Sequence, residues 1–446
     1  MKETVKVYLL PLGCPKNLVN SEQMLGRLRN AGMELVDSPE GADAAIVNTC
    51  GFIESAKTEA IQAILELAQL KQQGKLRALI AAGCLTQRYQ DEFLQELPEV
   101  DCALGVGSYD DIVAAVEEAL KKGDRRAWFR PREESTLTGD RVLLTDPYSP
   151  YLRIAEGCDN KCAYCVIPDI RGAFRSVPME DVLAEARQLA AQGAKELLVV
   201  AQDITRYGLD LYGRCCLADL LRELEKIEDI RWIRLHYLYP DEMPDELLEV
   251  MAASKKILHY FDIPIQHIND RVLRDMNRRG GGDLIRERIT RLRQLMPDAV
   301  IRTSLIVGFP GETEEEYQEL YDFLAEYRLE RVGVFCYSQE EGSKAALMPD
   351  QVPEEVKERR RAELYALQEQ VMDEASAAQL GRTLEVLCCG REEDDRCFGR
   401  SYMDSIDIDG QVFFESADAR PGDFVRVKIT YAEGCDLYGE VTEQED

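Results

Sequence analysis

The chain has 446 residues, enough for about three domains of ordinary size, each able to bury its own core. Its 54 basic and 83 acidic residues give a net charge of −29, which repels polyanions on average and attracts a basic partner, and nothing in the composition suggests disorder or a fibrous class. The opening MKETVKVYLLPLG has too short an apolar run for a signal peptide, and no later run approaches membrane-spanning length, so a cytoplasmic protein with no membrane association is expected.

Residues 1–122 alternate short apolar runs with amphipathic stretches: VKVYLL then NLVNSEQMLGRLRNAG, AAIVNT then ESAKTEAIQAILELAQLKQQG, RALIAAG then TQRYQDEFLQEL, and VDCALGV then DDIVAAVEEALKK. This α/β alternation predicts a small open parallel sheet flanked by helices. Cys14, Cys50 and Cys84 each stand just past the carboxyl end of a predicted strand, the edge where open α/β sheets bind ligands. Three thiols far apart in sequence are therefore expected to converge there. A buried structural cysteine is the usual reading of any one of them, and three in the same topological place weaken it.

Residues 123–147, with PREE and an Asp146-Pro147 step, read as a charged linker. Residues 148–378 then supply six further βα units, with strands near YLRIA, ELLVVA, WIRLHY, LHYFDIP, VIRTSLIVG and RVGVFCY. Pro178 marks one helix entry, the turn at Pro310-Gly311 precedes a helix from Glu312 to Tyr327, and a long polar helix is expected from Pro353 to about Leu380. Six units are two short of an eight-stranded barrel, so the pattern predicts a partial (β/α)6 barrel, open on one side, with its chemistry at the carboxyl ends of the strands. In residues 379–446 the texture changes to short strands separated by Gly, Asp and Pro, as in a small closed all-β barrel. From Arg382 to Asp446 there are 7 basic and 17 acidic residues, a charge of −10 that disfavours gripping a phosphate backbone.

The first barrel strand runs into Cys158, Cys162 and Cys165, a Cys-x-x-x-Cys-x-x-Cys loop. Three thiolates give a four-iron cluster one protein ligand too few, and the open iron can bind a substrate. A zinc knuckle would want a fourth ligand nearby, and His236, His259 and His267 are all remote in sequence. Of the fourteen cysteines, Cys102, Cys215, Cys216, Cys336, Cys388, Cys389, Cys397 and Cys435 have no defensible ligand spacing and read as small, mostly buried hydrophobes.

The Cys158–Cys165 spacing resembles the signature of radical S-adenosylmethionine (SAM) enzymes, in which the open iron chelates SAM and electron transfer yields a 5′-deoxyadenosyl radical. With LPLGCPKNLVNSE around Cys14, AAIVNTCGFIESAK around Cys50 and LIAAGCLTQRY around Cys84, the whole chain resembles the methylthiotransferase family of those enzymes. The resemblance implies an amino-terminal methylthiotransferase domain, a radical SAM barrel and a carboxyl-terminal TRAM domain with an OB-like barrel. It implies two 4Fe-4S clusters, one on Cys14, Cys50 and Cys84 for sulfur transfer and one on Cys158, Cys162 and Cys165 for radical generation. SAM would serve as both methyl donor and radical source.

Gly-Cys-Pro-Lys-Asn at Cys14, Glu340-Glu341-Gly342 in GVFCYSQEEGSKA, and GRSYMDSIDIDG in the tail are similar to the branch of the family that modifies small-subunit ribosomal protein S-twelve on the β-carbon of an aspartate. The alternative is the branch that modifies tRNA adenosines, against which the acidic tail argues. A non-catalytic electron carrier is a third reading, which requires the open irons to be idle. The resemblance further implies a basic ribosomal protein as substrate, a low-potential electron donor of flavodoxin or ferredoxin type, and a separate sulfur source, with no direct nucleic-acid binding expected. Asn20 departs from the family's usual Asp and is expected to matter little. SAM-contact candidates are Tyr164 between two cluster cysteines, Gln202 and Asp203 at the end of the second barrel strand, and Gln266 and His267 at the end of the fourth. For Tyr164 and His267 the plainer reading is packing. The Gly308–Thr313 segment reads as a turn whose backbone passes near SAM.

Overall fold

Short apolar runs between amphipathic ones bury themselves best as parallel strands under helices, and the chain begins that way. The computed structural model describes residues 4–121, 125–392 and 396–442. Strands β1 (Lys6–Pro11), β2 (Glu34–Leu35), β3 (Ala44–Thr49), β4 (Ala78–Gly83), β5 (Cys102–Leu104) and β6 (Arg126–Trp128) form one parallel sheet in the order β2-β1-β3-β4-β5-β6. β3 and β4 are buried at every residue because helices lie on both faces. The helices Pro15–Asn30 and Ile112–Leu120 cover one face through Met24, Leu28 and Val116, and Glu54–Gln72 covers the other through Ala60, Ile64 and Leu67. Strand order reverses between β1 and β3, so a crevice opens at their carboxyl ends. β6 comes from the stretch read as a linker, and the expected boundary between 122 and 123 lies outside the described residues.

The middle of the chain contributes β7 (Tyr151–Arg153), β8 (Ala155–Glu156), β9 (Arg175–Ser176), β10 (Glu196–Val200), β11 (Trp232–Leu235), β12 (Ile257–Asp262), β13 (Val300–Val307) and β14 (Arg331–Cys336). Six of these form a second parallel sheet in the order β14-β13-β12-β11-β10-β7, whose two edge strands do not pair with each other. It is the partial (β/α)6 barrel expected from the sequence. One detail differs: the run YLRIA is not one strand. Ile154 N–H donates to Val200 O in the sheet, while Ile154 O accepts from Val177 N–H, so the chain changes partners there. β8 then pairs antiparallel with β9, and this small ribbon closes the base of the cysteine loop.

Two helices also start later than the residue patterns imply. Thr313 caps Glu314–Tyr327 through a reciprocal bond with Glu316, whereas Glu312 turns back to accept from Gly308 N–H at 2.7 Å and Phe309 N–H at 3.0 Å. The long polar helix runs Glu354–Ala377.

β15 (Thr383–Arg391), β16 (Arg396–Arg400), β17 (Val412–Glu415), β18 (Phe424–Glu433) and β19 (Asp436–Val441) form a closed barrel in the order β15-β16-β17-β19-β18. Its core of Val386, Leu387, Val412 and Val427 is continuous with Trp232, Leu258, Tyr260 and Val300 of the central sheet. At that joint Glu196, fully buried, accepts from Arg400 Nη2 at 2.6 Å and Arg234 Nε at 2.8 Å. Burial works against its charge, but Arg400 and Arg234 override burial and hold the carboxyl at about 2.

Because the folded carboxyl titrates below its ordinary value, its contribution is complete above about 4.5 and disappears as pH falls towards about 2. Glu196→Gln should lower stability by about 3–5 kcal/mol at neutral pH by leaving two buried guanidinium groups uncompensated. Denaturant unfolding should show the gap to the wild type closing between those two pH values.

Candidate functional site

The carboxyl edge of the first sheet brings Cys14, Cys50 and Cys84 together through close backbone contacts. Gly13 has φ +88°, and a Cβ built on it would lie 2.8 Å from Cys50 Cβ, so only glycine admits the Cys50 loop this near Cys14. A Cβ on Gly51 would lie 2.7 Å from Leu85 Cα and 2.9 Å from the Cys84 carbonyl carbon, which ties the Cys50 loop to Cys84. Pro15 opens the helix immediately after Cys14, and Cys84 is itself the first residue of its helix, so both thiols sit at helix amino ends. Burial pushes Cys84 up to about 12 and also raises Cys50. At Cys14 burial acts in the same sense, but Lys16, Arg171 and the Asn17 N–H outweigh it and bring the thiol below its ordinary value.

The second trio lies beyond β8. Asn160 N–H points to Cys158 Sγ at 3.5 Å, and Ile167 N–H to Cys165 Sγ at 3.4 Å. Arg278 approaches Cys162 Sγ with Nη1 at 3.9 Å, and its guanidinium stacks 4.2 Å over the Tyr239 ring. Burial raises Cys158 to about 11 and pushes Cys165 above its ordinary value. Each trio is thus a set of three thiols beside one partly or fully buried arginine, a donor set that fits a three-thiolate iron–sulfur cluster. A cation next to a buried thiol favours the thiolate that metal ligation requires.

Arg171, in the short helix Ile167–Arg171 after Cys165, joins the two sites. Its Nε lies 3.2 Å from Cys84 Sγ, Nη1 donates to Asn20 Oδ1 at 2.7 Å and Glu156 Oε1 at 3.2 Å, and Nη2 donates to Asn17 Oδ1 at 2.9 Å. Glu156 also pairs with Arg153 at 2.9 Å and accepts from Gln202 Nε2 at 2.9 Å. Burial opposes the Glu156 charge, and Arg171 and Arg153 nevertheless hold its carboxyl below the usual carboxylate value. Asn20, expected to matter little, is therefore a direct partner of this bridge.

The other candidates fall into three places. Gln202 stands beside Glu156 with Oε1 buried and unpartnered among the described residues. Asp203 accepts from Asn160 Nδ2 at 2.8 Å, which links the second barrel strand to the cysteine loop. Gln266, at φ +71°, is locked across β13 by its backbone, donating to Ser304 O and accepting from Ile306 N–H. Tyr164 neighbours Cys162 and Arg278 and also packs against the small hydrophobic cluster that includes Val272, Met276, Phe309 and Tyr337. His267 is fully buried, accepts from Asn269 N–H at 3.0 Å, and has Glu316, Arg271 and Arg360 as its charged neighbours, so it faces the helical layer. Burial lowers it to about 3, which keeps the ring neutral.

Glu340 and Glu341 serve a joint between domains. Buried Glu340 accepts from Glu54 N–H at 3.0 Å, the amino end of a helix, and lies 3.4 Å from Arg88 Nη1. Sequence reasoning passed over Glu156, Arg171 and Arg278. Glu156 and Arg171 bracket the cysteine loop in AEGC and DIRG, which was the available signal. Of the cysteines set aside, Cys102, Cys216, Cys388 and Cys397 are in hydrophobic cores, while Cys215, Cys336, Cys389 and Cys435 are only partly buried.

A cavity of about 310 Å³ opens between the Cys14 loop, the inner face of the central barrel at His236, Asp262 and Arg302, and residues Ser405–Ile408 of the carboxyl-terminal barrel. All three domains meet there. Among the described residues, no helix is long and apolar enough to cross a membrane.

Residues 152–324 match the Radical SAM superfamily, residues 6–105 match Uncharacterized protein family UPF0004, and residues 380–442 match the TRAM domain. The chain is 49% identical over 439 residues to the ribosomal protein uS12 methylthiotransferase RimO of Pelotomaculum thermopropionicum, covering 98% of this chain and 99% of the relative. It is 47% identical over 441 residues to the protein of the same name from Geobacter sulfurreducens, covering 98% of each. A solved radical S-adenosylmethionine methyltransferase, TsrM from Kitasatospora setae, superposes with a TM-score of 0.55 at 15% identity over 75% of each chain, a likeness of fold.

Gly13→Ala should push the Cys50 loop away and cost the reconstituted protein roughly half its iron and sulfide, with the Cys158 site as internal reference. Arg171→Met, which removes the charge but keeps much of the bulk, should destabilise by about 3–5 kcal/mol in denaturant unfolding, because Glu156 loses a buried partner.

Proposed function

The chain belongs to the family of ribosomal protein uS12 methylthiotransferases, radical SAM transferases, and on that premise we propose that its two three-cysteine sites divide one reaction. Cys158, Cys162 and Cys165 hold the radical cluster, and Cys14, Cys50 and Cys84 hold the cluster for sulfur transfer. When bound, the clusters and SAM supply electron transfer, hydrogen abstraction, sulfur and methyl, converting a C–H bond of the substrate to C–S–CH3. The substrate is ribosomal protein uS12, modified at the β-carbon of an aspartate. The observation that supports this division is that the Radical SAM match, residues 152–324, contains Cys158, Cys162 and Cys165 and leaves out the other trio, to which Arg171 ties it through Cys84.

The chain's own groups position and polarise. Arg171 and Lys16 favour thiolate at Cys14, and Arg278 brings its guanidinium to Cys162 Sγ. Asn160 and Asp203 brace the cysteine loop against the second barrel strand, and Gln202 leaves an acceptor at the rim for SAM's amino group. Gln266 and Tyr164 are further candidates for contact with SAM. Activity needs a low-potential donor of flavodoxin or ferredoxin type and a sulfur source, in the cytoplasm where ribosomes are made. The net charge of −29 suits a basic protein substrate better than tRNA.

Replacing Cys158, Cys162 or Cys165 with Ala should abolish reductant-dependent cleavage of SAM to 5′-deoxyadenosine. Replacing Cys14, Cys50 or Cys84 should leave that cleavage measurable while no methylthio group appears on uS12 by mass spectrometry. The reverse pattern would refute the division of labour.

A further inference from the structure

The cavity beside Cys14 holds a cation that neither cysteine site uses. Arg302, on the inner face of β13, donates through Nη1 to Asp262 Oδ1 at 2.8 Å; Tyr260 and Asp409 are its other electrostatic neighbours, and it makes no further hydrogen bond among the described residues. Its side chain keeps 21% of its surface exposed although strands and loops surround it. Asp262 does not satisfy the guanidinium, because its other oxygen is committed: Oδ2 accepts from Tyr237 N–H at 3.2 Å and lies 3.5 Å from His236 Nδ1. His236 is held in turn, with Nε2 3.1 Å from Ser405 Oγ. The Asp262–His236–Ser405 chain orients Arg302 and leaves donors of its planar fork facing open volume.

The floor of the cavity differs from its wall. Ile406, Asp407 and Ile408 arrive from the carboxyl-terminal barrel, Asp407 at φ +62° and Ile408 with 52% of its surface exposed. An apolar and acidic rim around an interior guanidinium suits a loop of a basic protein that presents one acidic side chain.

We propose that Arg302 is the specificity-determining residue that receives the carboxylate of the substrate aspartate, with residues 405–408 of the carboxyl-terminal barrel bearing on the peptide around it. This rests on the reading of the substrate given above. The aspartate β-carbon is bonded directly to the carboxylate carbon, so a bidentate grip on the carboxylate fixes the reacting carbon one bond away. The carboxylate is unchanged by conversion of the neighbouring C–H bond, so the grip persists from substrate to product. An asparagine of the same shape offers the guanidinium no charge, and it is rejected for that reason.

The test uses full-length reconstituted enzyme without oxygen and two forms of uS12, carrying Asp or Asn at the modified position, with binding followed by fluorescence anisotropy and product by mass spectrometry. The wild type should bind the Asp form roughly tenfold or more tightly, as expected for one charge-assisted interaction. Arg302→Gln should bring that ratio near one, and Arg302→Lys, which keeps the charge without the fork, should fall between. An Asp preference retained in Arg302→Gln, or no preference in the wild type that does methylthiolate uS12, overturns the assignment. Should Arg302→Gln fail to fold, the Lys variant decides: an undiminished preference overturns the assignment and a reduced one supports it. Absence of any methylthio group on uS12 with wild-type enzyme overturns the substrate reading itself, and the inference with it.

Discussion

The buried guanidinium of Arg171 constrains everything around it. A desolvated cation must spend its donors, and this one spends them on Glu156 from its own domain and on Asn17, Asn20 and Cys84 from the other. The amino-terminal sheet and the Cys158–Cys165 loop therefore cannot separate without stranding a buried charge. The partners from the first domain are two neutral amides and a thiol, so Glu156 is the one carboxylate among the described residues that pairs with Arg171 directly. The remaining positive field acts on the amino-terminal thiols, where it lowers Cys14 against the effect of burial.

The same economy of charge recurs at the other joints. Glu196 keys the carboxyl-terminal barrel to the central one through Arg400 and Arg234, and Glu340 keys a barrel loop to a helix amino end and Arg88. A strongly acidic chain thus places cations, Lys16, Arg171, Arg278 and Arg302, in and around its thiol sites and cavity. The exterior field favours a basic protein, while these interior cations offset part of the effect of burial on the thiols, most fully at Cys14. The two requirements coexist because surface charges are screened within about 10 Å and buried pairs are screened much less.

The architecture was legible because it is written in local periodicity: βα alternation gave both parallel sheets, the count of six gave the open barrel, and the loss of helical period gave the closed one. Strand-end position also placed Cys14, Cys50 and Cys84 correctly on one edge. The break of YLRIA at Ile154 was not legible, since it depends on Val177 returning from beyond the cysteine loop to take one of Ile154's hydrogen bonds. Nor was β6, three residues whose partner is β5 rather than anything in their own pattern. His267 and Gln266 look equivalent at a strand end, yet the left-handed Gln266 and the buried His267 end up with different surroundings.

By itself the sequence determined the three-domain plan, the two sets of three cysteines and the sign of the outer charge, because these are properties of spacing, periodicity and composition. Only the tertiary structure decided which charged groups attend those cysteines. Arg171 meets Cys84 across 87 positions, and the cavity with Arg302 is assembled from three domains. Such encounters follow from the need of buried charges for partners, which carries no periodic signal along the chain.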